Sequence, residues 1–170
     1  RIVREDMLQY LRRCYIPSAS IEKTRFLILQ QIQVGRKIGR VKNQVHALLE
    51  RNMIHDLDGF SDIFGVQGLR RMVEVELSSG DKAALARYLE ELKLLTAHHR
   101  QLETELARIA ESDGDALLLM SIPGIDFFTA LAIKSRIGEI GRFPSKKHLC
   151  SYSAVVPSAS NSGDYISSHN

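Results

Sequence analysis

No stretch of this 170-residue chain approaches the run of about 18 apolar residues that a bilayer-spanning helix needs. No basic-then-apolar segment opens it either, so the sequence offers neither a membrane span nor a secretory signal. It has only two cysteines, Cys14 and Cys150, far apart and without CxxC or Cys/His ligand spacing. That excludes a disulfide framework and a zinc site, and fits a reduced protein of the cytoplasm. His98 and His99 are adjacent, point in different directions on a helix and make a poor shared metal site, so no metal ligands are assigned. The chain begins at Arg1 and ends on Ser-Ser-His-Asn without a closing helix or cap, which reads as a fragment.

What is present is the composition of a soluble globular domain, with 44% hydrophobic and 25% charged residues. The net charge of +3 hides an uneven distribution. Residues 1–52 hold 11 Lys/Arg against 4 Asp/Glu, residues 53–112 hold 7 against 11, and residues 113–170 hold 5 of each. Positive charge concentrated at the front points to a phosphate-rich partner, because Lys and Arg gain affinity by releasing counterions from nucleic acid.

Ile21 to Asn52 places Ile28, Ile32, Ile38, Val41, Val45 and Leu48 at spacings of three and four, with one gap at Gly35. This is the helical period. Gly35 and Gly39 each cost a helix interior about 1 kcal/mol relative to Ala, and mark a close approach by another backbone. Arg36, Lys37, Arg40, Lys42 and Asn43 form the densest basic stripe, expected on the opposite face. Met53 to Gly68 breaks the pattern, Leu69 to Leu77 reads as a short helix, and Ser78 to Asp81 supplies capping side chains for the next. From Asp81 to Glu111, Leu85, Tyr88, Leu92, Leu95, His99, Leu102, Leu106 and Ile109 alternate strictly by three and four. That is a coiled-coil seam of about four heptads, with His99 as a register-setting polar position. Its partner is either the Ile21 to Asn52 helix folding back or the same helix of a second subunit.

A second unit follows Ser112. Ala116 to Ile122 and Phe127 to Ile137 read as helices around the turn Pro123-Gly124-Ile125-Asp126, with Gly138 as a left-handed terminator. Ser145 caps a third helix, Lys146 to Tyr152, and Ser153 to Asn170 reads as loop. The expected fold is therefore all-α: long antiparallel or intersubunit coiled-coil helices over 1–112, then a small helix-hairpin-helix-like domain over 113–170. In such a hairpin the backbone around Gly124, Ile125 and Thr129 approaches a phosphate without reading sequence.

The string from Ile122-Pro-Gly-Ile125 through Ile137-Gly-Glu-Ile-Gly-Arg-Phe-Pro-Ser145 and Leu149-Cys-Ser-Tyr-Ser-Ala-Val-Val-Pro157 to Ser162-Gly163 closely resembles the C-terminal domain of insertion-sequence one-ten family transposases, eleven-eleven group included. Arg40 to Asn52 resembles the same family's linking helix. The resemblance implies a DNA recombinase with a composite active site. Its serine nucleophile falls on Ser162, with Gly163 beside it among the nucleic-acid-binding positions, and its four acidic residues and Mg²⁺ belong to a RuvC-like domain outside this chain. It further implies DNA and a structured guide RNA as partners, a prokaryotic cytoplasm, and dimers or tetramers assembled through the coiled coil. From the residues alone, a non-catalytic oligomerising module that binds nucleic acid and a purely structural coiled coil remain rival readings.

Overall fold

The computed structural model describes residues 15–54, 59–60, 62–153, 159–162 and 165–168. It is all-α apart from one short strand pair. Among the described residues six helices run in the order α1 (Ala19–Arg51), α2 (Val66–Glu74), α3 (Ser79–Glu111), α4 (Gly114–Met120), α5 (Phe127–Ile137) and α6 (Lys146–Tyr152). A 3-10 turn at Ile140–Arg142 separates α5 from α6, and strands β1 (Ala159–Ser162) and β2 (Tyr165–Ser168) follow. These two strands pair antiparallel, Ala159 opposite Ser168 and Ser162 opposite Tyr165, so part of the Ser-rich stretch expected to be loop is a hairpin ladder. Among the described residues no helix is long and apolar enough to cross a membrane.

The chain forms two compact units, 18–136 and 1–17 with 137–170. In the first, α1 and α3, each 33 residues and so about 50 Å long, lie antiparallel. Leu48 and Leu49 meet Leu85 at one end, Val41 meets Leu92 and Leu95 in the middle, and Leu27 and Ile28 meet Leu106 and Ala110 at the other. The seam of α3 is thus closed by α1 folding back. The matching stripe on α1 is Thr24, Leu27, Gln31, Val34, Ile38, Val41, Val45 and Leu48, an unbroken alternation of three and four whose members are all buried or half-buried. Two of them are polar, which is why hydrophobicity alone traced the stripe incorrectly. Ile32, expected inside, is 37% exposed, while Thr24 and Gln31 are buried. Thr24 satisfies its hydroxyl on the Ser20 carbonyl at 3.1 Å. The Gln31 Oε1 is buried without a hydrogen-bond partner.

The gap at Gly35 is filled from across the seam. A Cβ there would lie 3.8 Å from Nε2 of His99, so the close approach is an imidazole ring rather than another backbone. The one polar position of the α3 seam sits beside Gly35, and both helices run through unbroken.

The connection between the long helices is pinned at both ends. The last turn of α1 closes with Ile54 N–H on Leu49 O (3.1 Å) and Met53 N–H on Glu50 O (2.9 Å). This is the double bond of a Schellman cap, with Met53 in the left-handed position at φ 55° where Gly is usual. Ser78 caps α3 by accepting from Asp81 N–H at 3.2 Å. Its hydroxyl donates back to the Asp81 carboxylate at 3.0 Å, and Arg51 pairs with the same carboxylate. The Ser78 bond, against a smaller cost of burial and helped by Arg51, holds the Asp81 carboxyl below its ordinary value. Helix α2 starts three residues earlier than expected and takes in Gly68. A Cβ on Gly68 would lie 2.2 Å from the Ile63 carbonyl oxygen, so only glycine lets α2 pack on the backbone of the preceding loop.

Candidate functional site

Around α1, at about 100° per residue, Arg36 and Arg40 fall on the face opposite the buried stripe. Both are exposed, as is Lys37, which lies toward one flank of the α1–α3 pair and lines an open groove with Gln30, Gln33 and His98. Lys42 falls on the other flank. Its Nζ sits 4.7 Å over the ring of Phe64, which also meets His46 edge-on at 5.4 Å, so Lys42 packs on the connecting loop and not with the other three cations. The expected stripe of four is a cluster of three with one member turned away.

Helices α4 and α5 dock on the end of the long pair through Ala116, Ala130 and Leu131, all fully buried beside Leu27, Ile28 and Leu106. Asp113 caps α4, accepting from Asp115 N–H at 3.0 Å and Ala116 N–H at 3.1 Å, and Lys134 of α5 grips the same carboxylate at 2.5 Å and Asp115 at 3.0 Å. Burial opposes charge on Asp113, but Lys134 and the two amides outweigh it and hold the carboxyl below its ordinary value. Burial likewise opposes the Lys134 charge, and the two aspartates outweigh it and raise the ammonium above its ordinary value. Arg25 of α1 donates to the Ser135 carbonyl at 2.7 Å and so ties the end of α5 down.

Between α4 and α5, Gly124 takes φ +89° and stands open to solvent. The Ile125 N–H is spent on the Ile122 carbonyl at 3.1 Å. Asp126 caps α5, accepting from Thr129 N–H at 2.8 Å. Thr129 is also the main cause of an Asp126 carboxyl held below its ordinary value, so this side chain is charged at neutral pH. The amides of Ile125 and Thr129 therefore already have acceptors, and a carboxylate occupies the position a phosphate would take at this turn.

In the second unit, Gly138 ends α5 at φ +72°, the left-handed terminator expected there. The Tyr15 ring lies against it: a Cβ on Gly138 would be 2.6 Å from Tyr15 Oη. Tyr15 Oη accepts from Glu139 N–H at 3.2 Å. Arg142 is enclosed by three aromatic rings, its guanidinium 4.4 Å from the centroid of Tyr15, 4.2 Å from Phe143 and 4.6 Å from Tyr152. Its Nε donates to the Ile137 carbonyl at 2.9 Å. Ser145 stands at the start of α6 but does not cap it; its hydroxyl pairs with Nδ1 of His148 at 2.8 Å instead. Ser162 is the last residue of β1, opposite Tyr165 of β2. Residues 154–158, with Pro157, and Gly163 lie outside the described residues. The tether from Tyr15 to residues 138–142 had no sequence signal beyond an aromatic and a glycine far apart in the chain.

Residues 116–170, about a third of the chain, match the family model described as Transposase IS116/IS110/IS902. The chain is 32% identical over 62 residues, 36% of its length, to the transposase for insertion sequence element IS1111A of Coxiella burnetii. Over 75 residues, 42% of its length, it is 33% identical to an insertion element IS110 uncharacterized 43.6 kDa protein of Streptomyces coelicolor. The matched stretches span only 17% and 18% of those relatives' own lengths. No solved structure matches the chain.

Proposed function

We propose that the chain is the helical linker and C-terminal portion of a DNA transposase, supplying the serine nucleophile and part of the nucleic-acid-binding surface. The observation that supports this most is the family match over 116–170, within which fall the proline, serine and glycine of the motif at Pro157, Ser162 and Gly163. In the reaction, Ser162 Oγ bonds to phosphorus while a phosphorus–oxygen bond to deoxyribose breaks; the serine proton leaves to a base and the departing oxygen takes up a proton. A strand hydroxyl later attacks the phosphoserine, restores the serine and joins the new strand. A serine hydroxyl needs activation for this. Among the described residues no three His, Cys, Asp or Glu side chains gather to hold a metal ion. The Mg²⁺ implied by the resemblance therefore does not fit a described site here, and no step is routed through it.

Arg36, Lys37 and Arg40 are the proposed phosphate contacts, for DNA and for a structured guide RNA alike. The α4–α5 turn makes a weaker case, with its amides engaged and Asp126 in place. Assembly into dimers or tetramers would use a surface other than the α3 seam, because Leu85, Leu92, Leu95 and Leu106 are already buried against α1.

The test is a covalent protein–DNA adduct, read on a denaturing gel, in a protein that joins this chain to the remainder of the transposase. Ser162→Ala should abolish the adduct and leave salt-dependent binding intact; an adduct that survives the substitution refutes the assignment. A non-catalytic binding module would give no adduct with either protein. The 170-residue chain by itself should bind DNA without cutting it.

A further inference from the structure

The two flanks of the α1–α3 pair are unlike. One is covered: α5 lies against it through Arg25 and Ser135, and the loop before α2 covers it at Phe64. The other carries an open groove of about 380 Å³ lined by Gln30, Gln33, Lys37, His98, Gln101 and Glu105 among others. Beside it lies a second, more open depression of about 560 Å³ on α3 itself, lined by Arg100, Gln101, Thr104, Glu105 and Arg108. The two share Gln101 and Glu105. Between them the two depressions carry three cations, three carboxamides and an imidazole. The single carboxylate among their lining residues, Glu105, is paired with Lys23 at 3.0 Å. No aromatic residue lines either part.

We propose that this open flank is a second nucleic-acid contact, in which Arg100 and Arg108 of α3, with Lys37 of α1, track a sugar-phosphate backbone while Gln30, Gln33 and Gln101 bond to sugar or base edges. The proposal deepens the reading of α1 as a nucleic-acid surface and rests on it. Arg100 and Arg108 are two turns apart on α3, about 12 Å, enough to span three or four phosphates of one strand. Carboxamides both donate and accept, which matches the mixed edges of bases and sugars. The absence of a stacking ring favours a duplex over a splayed single strand. Residues 53–112 are acidic in sum, which hides this face in the sequence; in the fold Glu103 lines a different cavity, together with Asp126.

The experiment is fluorescence anisotropy of the chain with a 20-base-pair DNA duplex and the RNA duplex of the same sequence, across a salt series. The double variant Arg100→Ala/Arg108→Ala should flatten the slope of log K against log salt by about 1.8, from a loss of about 0.9 per phosphate contact. Glu105→Gln removes the groove's carboxylate and frees Lys23, so it should tighten binding. Steeper losses on DNA or on RNA identify which backbone occupies the groove. An unchanged slope in the double arginine variant on both duplexes, or weaker binding by Glu105→Gln, overturns the proposal. If Arg36→Ala/Arg40→Ala still lowers binding in that case, the general nucleic-acid reading stands and only the flank is wrong. Failure of the unsubstituted chain to bind either duplex overturns both.

Discussion

Gly138→Ala is the substitution whose cost can be assembled from named contacts. The residue holds φ +72°, where an L-side chain costs about 1–2 kcal/mol. Its new Cβ would also fall 2.6–2.8 Å from three atoms of the Tyr15 ring, so the ring must leave. Leaving removes the bond from Glu139 N–H, about 0.5–1.5 kcal/mol. It also removes one of the three rings around the half-buried Arg142, about 0.5–1 kcal/mol. Together these come to about 3 kcal/mol lost from the unit that holds 15–17 and 137–168. Hydrogen exchange at the Glu139 amide is the direct assay, because it reports this contact and not unfolding of the long helices. A loss of that size is about a hundredfold in protection. In a Tyr15→Ala background the clash disappears, and Gly138→Ala should then cost only the backbone term of about 1–2 kcal/mol. Equal costs in the two backgrounds would refute the packing argument, and no cost in either would refute the left-handed conformation.

Gly35→Ala should stabilise the chain by about 1 kcal/mol in urea unfolding, since the Cβ meets His99 at ordinary van der Waals distance. Gly68→Ala should destabilise it in the same assay. Gln31→Met should gain about 1 kcal/mol by removing a buried acceptor with no donor, and a loss would mean that the amide has a partner. Asp113→Asn keeps a capping side chain but removes the charge that Lys134 holds. Because the folded carboxyl is shifted down, its contribution is full above the ordinary carboxylate value of about 3.9 and lost as pH falls through the folded value. The variant should therefore be less stable than the parent at pH 7 and approach it in acid; a gap that widens in acid reverses the sign and refutes the ion pair. Arg36→Ala/Arg40→Ala should lower the salt slope of DNA binding by about 1.8, while Lys42→Ala, turned onto Phe64, should leave it nearly unchanged.

Local pattern alone was enough for several features. The α3 seam repeats every 3.5 residues over its whole length, so any partner had to meet that face. Ser78 before a long helix and Gly138 after a short one are backbone requirements that read directly as boundaries. The string from Ile122 to Gly163 carried the resemblance to the transposase family whose model matches residues 116–170. The tertiary structure decided what depends on residues distant in the chain. It showed that α1 is the partner of α3, and it drew Thr24 and Gln31 into a stripe that hydrophobicity assigned partly to Ile32. It set His99 over the gap at Gly35 and turned Lys42 away from Arg36 and Arg40. It also brought Tyr15 to Gly138, across more than 120 positions, where neither residue carries a periodic signal. The physical reason is the same in each case: helix period and capping are set within a few residues, whereas which face is buried and which cation stays in water depends on what packs against it from elsewhere in the chain.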